Sequence, residues 1–174
     1  MATVKPDLSV VLLCYRSEDA ISLYVEELKA CLTKLNIEWE IILIGNYIAG
    51  SNDRTPEIAK EIAALDPRIK ALTKEKKGMM GWDMKCGFEK SLGEIIAVTD
   101  GDGQFPLSDI GRVYKKLIDE NLDMVKTYRI KREDGWYRKT LSTVYNIIFH
   151  VFFPGVSCHD VNSKPKSFKA EVLR

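Results

Sequence analysis

At 174 residues the chain has the length of one domain with a substantial core. Hydrophobic residues at 45% and charged residues at 29% are ordinary for a globular protein, and a formal net charge of +1 argues against a general nucleic-acid binder while leaving room for local basic patches. No run approaches the roughly 20 apolar residues needed to span a bilayer, and the opening residues have none of the character of a signal peptide.

The first predicted element is Leu8 to Cys14, an apolar run without alternation, as in a strand buried on both faces. Ser17 is placed to cap a helix whose apolar positions Ile21, Tyr24, Leu28, Leu32 and Leu35 recur at three and four residues. Trp39 to Ile44 reads as the next strand, followed by a polar loop from Gly45 to Asp53. Thr55-Pro56-Glu57 then starts a second helix, with Pro at the first helical position. Pro67 ends that helix, Ile69 to Leu72 forms a third strand, and Lys76-Lys77-Gly78 closes it as a loop. Met79 to Ser91 has helical spacing, and its glycines Gly81 and Gly87 predict close packing or close approach of a ligand.

Ile95 to Val98 is a fourth buried strand that runs out into Asp100-Gly101-Asp102-Gly103-Gln104-Phe105-Pro106. In an open α/β sheet the carboxyl ends of the strands are where ligands bind. If the backbone stays extended, Asp100 and Asp102 point the same way, and Gly101 leaves room for a ligand between them. Hard carboxylate oxygens at this spacing suit Mg²⁺ or Mn²⁺ bound jointly with substrate phosphates. A surface turn rich in Asp and Gly has the same composition, so position at the strand end carries the argument. Pro106 to Asn121 is predicted as a helix and Leu122 to Tyr128 as a fifth strand. Five alternations of strand and helix specify an α/β fold, a doubly wound, mostly parallel sheet with helices on both faces.

After residue 129 the alternation stops. Arg129, Lys131, Arg132, Arg138 and Lys139 form a basic stretch leading into Thr140 to Phe153, whose apolar end is expected to cover the sheet, with a membrane-surface helix as the alternative. Cys14, Cys31, Cys86 and Cys158 are scattered, with only His150 and His159 beside them, which argues against zinc and for buried reduced thiols in a cytoplasmic setting. A dinucleotide oxidoreductase would need a glycine fingerprint after the first strand, where Tyr15-Arg16-Ser17-Glu18-Asp19 has none. A calcium loop starting at Asp100 fails at Phe105 and Gly111. A phosphatase would carry its paired acids after the first strand rather than the fourth.

From Leu8 onward the chain resembles a family 2 glycosyltransferase of the GT-A, nucleotide-diphospho-sugar transferase-like fold, within the dolichyl-phosphate mannose synthase-like group. The likeness rests on Val10 to Glu18 as the opening strand and turn, on Asp100 to Pro106 as the Asp-x-Asp-x-Gln-x-Pro signature, on Lys77-Gly78 through Gly87-Phe88, on Tyr128-Arg129, and on Arg138 to Ser142. The resemblance implies one glycosyltransferase domain over 1–174, cut short on its acceptor side. It implies an inverting, metal-dependent transfer of a hexose from a GDP- or UDP-sugar to a polyprenyl phosphate at the cytoplasmic face of a membrane, using Mg²⁺ or Mn²⁺. Asp102 would hold the metal, with Asp100 binding it through water or contacting the ribose. Arg129 and Arg138 would contact phosphates, Asp160 is the candidate base, and Tyr15, Asn46, Asp53, Gly78, Asp100, Gln104 and Ser142 complete the donor-binding set. Two departures stand out: Asn46 replaces an expected acid in a lengthened loop, and Ser163-Lys164-Pro165-Lys166 replaces Gly-Phe-Lys. They keep open the alternative of a nucleotide-sugar-binding domain without transfer.

Overall fold

The computed structural model of the protein describes residues 5–18, 20–103, 105–128, 136–155 and 160–173, less the side chains of 136–139, 141 and 142. Its strands are β1 (Leu8–Leu13), β2 (Trp39–Ile44), β3 (Ile69–Leu72), β4 (Ile95–Asp100), β5 (Met124–Lys126) and β6 (Lys166–Lys169). The helices are α1 (Ala20–Thr33), α2 (Thr55–Leu65), α3 (Met80–Lys90), α4 (Ser108–Asp119), α5 (Trp136–Phe152) and α6 (Ala170–Leu173). They form one six-stranded sheet in the order β3-β2-β1-β4-β6-β5. The four strands from β3 to β4 are parallel, and β6 runs antiparallel to both of its neighbours. This is the doubly wound, mostly parallel sheet that the alternation predicts.

The unbroken apolar runs of β1 and β2 have the reason proposed for them. Val10, Leu12, Ile41 and Leu43 face a core layer filled by Ile21, Leu28 and Leu32 of α1, Ile58 and Ala59 of α2, and Ile110, Val113 and Leu117 of α4. Val11, Leu13, Ile42 and Ile44 face the other side, where Met84 and Phe88 of α3 and Leu173 of α6 pack. Strands covered on both faces have no solvent side on which to alternate.

On the α3 side of the sheet lies a buried polar cluster at the entry of the central strands. Glu40, 3% exposed, accepts hydrogen bonds from the Ser9 hydroxyl at 2.6 Å and the Leu92 amide at 2.7 Å, and pairs with Lys70 at 2.5 Å. Ser9 Oγ in turn accepts from Gly93 N at 2.8 Å. The chain turning into β4 is thereby fastened to β1 and β2, and a buried carboxylate has its oxygens satisfied.

Four expectations change. The fourth helix begins at Ser108, because Pro106 and Leu107 spend their carbonyls on the amides of Asp109 and Ile110 in the turn that precedes it. The fifth strand is limited to Met124–Lys126. Strand β6 was not expected: Lys-Ser-Phe-Lys has neither an apolar run nor β-branched residues, and the slot between β4 and β5 selects it by main-chain pairing. Helix α5 does not cover the sheet. Val144, Ile147, Ile148, Val151 and Phe152, at helical spacings of three and four, are each between 47% and 73% exposed.

Candidate functional site

Chain order reverses between β1 and β4: β2 and β3 lie on one side of β1, and β4 lies on the other. Leu13 and Asp100, the last residues of these two strands, are partners in the register. The carboxyl ends of β1 and β4 therefore flank the crevice where an open α/β sheet receives a ligand. Asp100 sits at that edge, and Asp102 follows in an exposed bend that Gly103 turns with φ +73°.

Gly101 has a different role from the one its sequence position predicts. Its amide donates to Leu13 O at 2.8 Å, and a Cβ there would lie 3.1 Å from that oxygen and 3.4 Å from Cys14 Sγ. The glycine lets the turn lie against β1 rather than making space for a ligand. Cys14 is fully buried, and its thiol donates to Leu12 O at 3.3 Å. Burial, with Asp100 nearby, pushes this thiol far above the usual cysteine range, so it is no nucleophile. Tyr24 of α1 is the other neighbour of the acids. Burial first, and then the charges of Asp102 and Asp100, raise its phenol to about 12.

The segment leading into β6 supplies a residue that the sequence marks only as a departure, without its role. In the antiparallel β4–β6 pair, Val98 faces Lys166. The ladder ends there, and Lys164, two residues earlier, lies beside Asp100. Its ammonium lies 2.5 Å from Asp100 Oδ1 and 2.9 Å from Met80 Sδ, with the side chain only 3% exposed. The segment leading to it is tied down through main-chain groups: Lys126 Nζ donates to Asp160 O at 2.8 Å, and Thr127 Oγ1 donates to Lys164 O at 2.7 Å. Asp160 itself is 7% exposed in a left-handed conformation, φ +51°. The structure thus brings the 160–164 turn to Asp100, with three residues between the candidate base and the lysine that touches that acid.

A second cluster lies on the β1–β2 side. Tyr15, just past β1, has Lys76 Nζ 4.8 Å from its ring centre. Lys76 pairs with the buried Asp83 of α3, whose Oδ1 accepts from Asn46 Nδ2 at 2.8 Å. Asn46 Oδ1 accepts from Lys74 N at 2.8 Å, and the residue is 2% exposed. Asn46, a member of the donor-binding set that the resemblance implies, is turned inward with both ends of its amide engaged. Lys76 and Asp83 were missed. The signal available was an acid on the same short helix as Gly87, where a Cβ would meet Val11 Cγ1 at 2.3 Å, so that α3 is pressed onto the sheet. At Gly78 a Cβ would lie 2.8 Å from Trp82 Cβ, so this glycine accommodates the tryptophan.

Asp53 is structural in part. Its Oδ1 accepts from the Thr55 hydroxyl at 2.5 Å and amide at 3.0 Å, while Thr55 Oγ1 accepts from the amides of Ser17 and Glu18, each at 3.0 Å. The loop after β2 is so joined to the turn after β1. Asp53 Oδ2 is buried without a hydrogen-bond partner, an acceptor with capacity left. Gln104 and Arg129 lie outside the described residues, as do the side chains of Arg138 and Ser142.

Asp100 and Asp102 offer the hard oxygens that Mg²⁺ or Mn²⁺ takes, and so fit such an ion. Among the described residues no three acidic, histidine or cysteine side chains are grouped to enclose one, so the other ligands would be phosphate oxygens of a substrate and water. Also among the described residues, no helix is long and apolar enough to cross a membrane.

The profile of the family described as "Glycosyl transferase family 2" matches residues 9–170. An undecaprenyl-phosphate 4-deoxy-4-formamido-L-arabinose transferase of Pectobacterium atrosepticum is 32% identical over 145 residues, 82% of this chain and 42% of that protein. The chain thus spans less than half the length of this relative. Among solved structures, a Pyrobaculum calidifontis mannosyltransferase in complex with GDP-Man and Mn²⁺ superposes with a TM-score of 0.58 at 20% identity, covering 98% of this chain and 46% of that one. Glucosyl-3-phosphoglycerate synthase of Mycobacterium tuberculosis, with Mn²⁺, UDP and phosphoglyceric acid, gives 0.66 at 18% identity, covering 97% and 57%. At those identities the two structures share the GT-A fold with this chain.

Proposed function

The chain belongs to glycosyl transferase family 2, and from that premise we propose that it forms the donor side of an inverting transferase moving a sugar from a nucleoside diphosphate to a polyprenyl phosphate. One observation carries the proposal: Asp100 and Asp102 stand at the carboxyl end of β4, where the strand order reverses. A diphosphate seated there would place its glycosyl bond over the turn from Asp100 to Gly103.

Mg²⁺ or Mn²⁺, held by Asp102 and Asp100, would supply positive charge for the departing diphosphate. The chain's own residues would do the rest. Tyr15, 40% exposed with Lys76 over its ring, would border the nucleoside. Arg129 and Arg138, by family resemblance, would donate to phosphate oxygens. A single displacement with inversion needs no enzyme nucleophile, in keeping with the burial of Cys14 beside Asp100. A lipid phosphate, with a second pKa of about 6, is already ionised near neutrality and needs no general base. An alcohol acceptor would need one, and Asp160 is the acid on the acceptor-side turn.

The exposed stripe Val144, Ile147, Ile148, Val151 and Phe152 on α5 follows the basic stretch from Arg129 to Lys139. That combination suits a helix lying on an anionic membrane surface, the place where a polyprenyl phosphate is presented. The relative's name, an undecaprenyl-phosphate transferase, supports this acceptor class and with it the polyprenyl-phosphate branch of the family.

The test is thermal unfolding of wild type and Asp102→Ala with GDP- and UDP-sugars, with and without Mn²⁺, followed by transfer of labelled sugar to a polyprenyl phosphate in detergent. A donor at about 100 times its dissociation constant adds about 2.7 kcal/mol to folding stability. Stabilisation that requires both Mn²⁺ and Asp102, followed by transfer, is the expected result; no response to any nucleotide rejects the reading. A binding domain without transfer is the second reading, favoured by the inward amide of Asn46. Stabilisation without labelled product would select it.

A further inference from the structure

Position 164 carries a feature that the donor reading does not require. Lys164 is buried, and its ammonium is seated on the same Asp100 carboxylate that a divalent ion would use. The contact is anchored beside the sheet: Lys164 stands two residues before the point where β6 pairs with β4, and the Thr127 hydroxyl, donating to Lys164 O, holds it there. A lysine 3% exposed beside the carboxylate has little freedom to swing into solvent.

We propose that Lys164 is a resident cation that competes with the divalent metal for Asp100, so that the metal binds firmly only together with the donor diphosphate. With the site empty of donor, Asp100 is neutralised by Lys164. A divalent ion arriving alone must then settle beside an ammonium and share its carboxylate, which costs affinity. When metal and donor arrive together, the diphosphate brings negative charge of its own, and the ammonium can turn from Asp100 toward a phosphate oxygen. Metal and donor are thereby linked in their binding, each strengthening the other. The inference rests on the donor-site reading for its second half only. The competition at Asp100 stands on the geometry of this chain.

The experiment measures Mn²⁺ binding by electron paramagnetic resonance on nucleotide-free wild type, Lys164→Met and Asp100→Asn, then repeats it with GDP and with UDP. Methionine keeps the aliphatic bulk and removes the charge. The expected result is Mn²⁺ bound at least about tenfold more tightly by Lys164→Met than by wild type, the effect of removing one close like charge, with the gap narrowing once a nucleoside diphosphate is present. Equal or weaker Mn²⁺ binding by a folded Lys164→Met overturns the proposal. If that variant does not fold, the wild-type protein labelled with ¹⁵N-lysine gives the answer. Mg²⁺ with GDP or UDP should move the Lys164 ammonium resonance, and a signal that stays in place while metal binds overturns the proposal. Should neither nucleotide strengthen Mn²⁺ binding to wild type while Lys164→Met still gains affinity, the donor reading fails and the competition at Asp100 stands.

Discussion

Replacing Gly87 by alanine tests the seat of α3 on the sheet. A Cβ at this position would lie 2.3 Å from Val11 Cγ1, 3.1 Å from Val11 Cγ2 and 3.3 Å from Ile44 Cδ1. Val11 is 0% and Ile44 1% exposed, and the β-branched Val11 has no other easy rotamer, so relief must come from movement of the helix. Overpacking of this kind costs about 1–3 kcal/mol, while alanine for glycine in a helix returns up to about 1 kcal/mol. Gly81 is the internal control, because nothing lies within 4 Å of a Cβ built there. Gly81→Ala should be neutral or stabilising by up to about 1 kcal/mol, and Gly87→Ala less stable than it by about 1–3 kcal/mol. Urea denaturation followed by circular dichroism reads both, and for a domain of this size each kcal/mol moves the thermal midpoint by about 2–4 °C. Equal stabilisation by both substitutions would refute the close approach of α3. Because α3 carries Asp83, a shifted helix should also loosen the Asn46–Asp83–Lys76 chain, which amide exchange at Lys74 would register.

Three more predictions address charge. Glu40→Ala removes the partner of Ser9, Leu92 and Lys70 in the buried entry cluster and should cost about 3–5 kcal/mol in urea melts; a cost below about 1 kcal/mol would show that water replaces the carboxylate. Asp66, held below the usual carboxylate range first by the side-chain hydrogen bonds of Arg68, contributes stability that is present above its unfolded value near 3.9 and is lost as pH falls through its lower folded value. The stability gap between wild type and Arg68→Ala should therefore be level above about pH 5 and shrink in acid, and a gap that widens in acid contradicts the pairing. Tyr24, raised to about 12, contributes stability present below the unfolded value of about 10 and lost as pH rises toward 12. Tyr24→Phe should resist alkali better than wild type over that window, and identical alkaline unfolding curves would argue against the shift.

How much was legible in the sequence depended on what kind of contact made each feature. Strands β1, β2 and β4 could be read because burial on both faces forces unbroken apolar runs, and α1 and α4 because one buried face imposes helical spacing. The acids at the end of β4 were readable for the same reason: a strand that is certain has an end that is certain. Strand β6 was not, since Ser167 is held by its position between two strands rather than by an apolar pattern of its own. Lys164 was noticed as a departure, but its meeting with Asp100 depends on the β4–β6 register, which no local pattern encodes. Asn46 and Asp83 find each other from a loop and a helix far apart in the chain. Helix α5 was recognised and misplaced, because an apolar stripe announces a partner without saying whether that partner is the sheet.

The place of β6 also governs the order in which the molecule can be assembled. Strands β1 to β4 can pair as the chain emerges, each laid beside one already in place. Strand β5 cannot follow them, because in the finished sheet it touches β6 and not β4. It must wait while some forty further residues are synthesised, until β6 fills the gap by pairing with both at once. A chain that pairs its strands as it emerges would pass through a stage in which the four parallel strands are paired but the edge beside Asp100 is still open. A newly made chain would set its parallel strands before the edge that Lys164 borders, and truncations between β5 and β6 should leave Asp100 without its lysine partner.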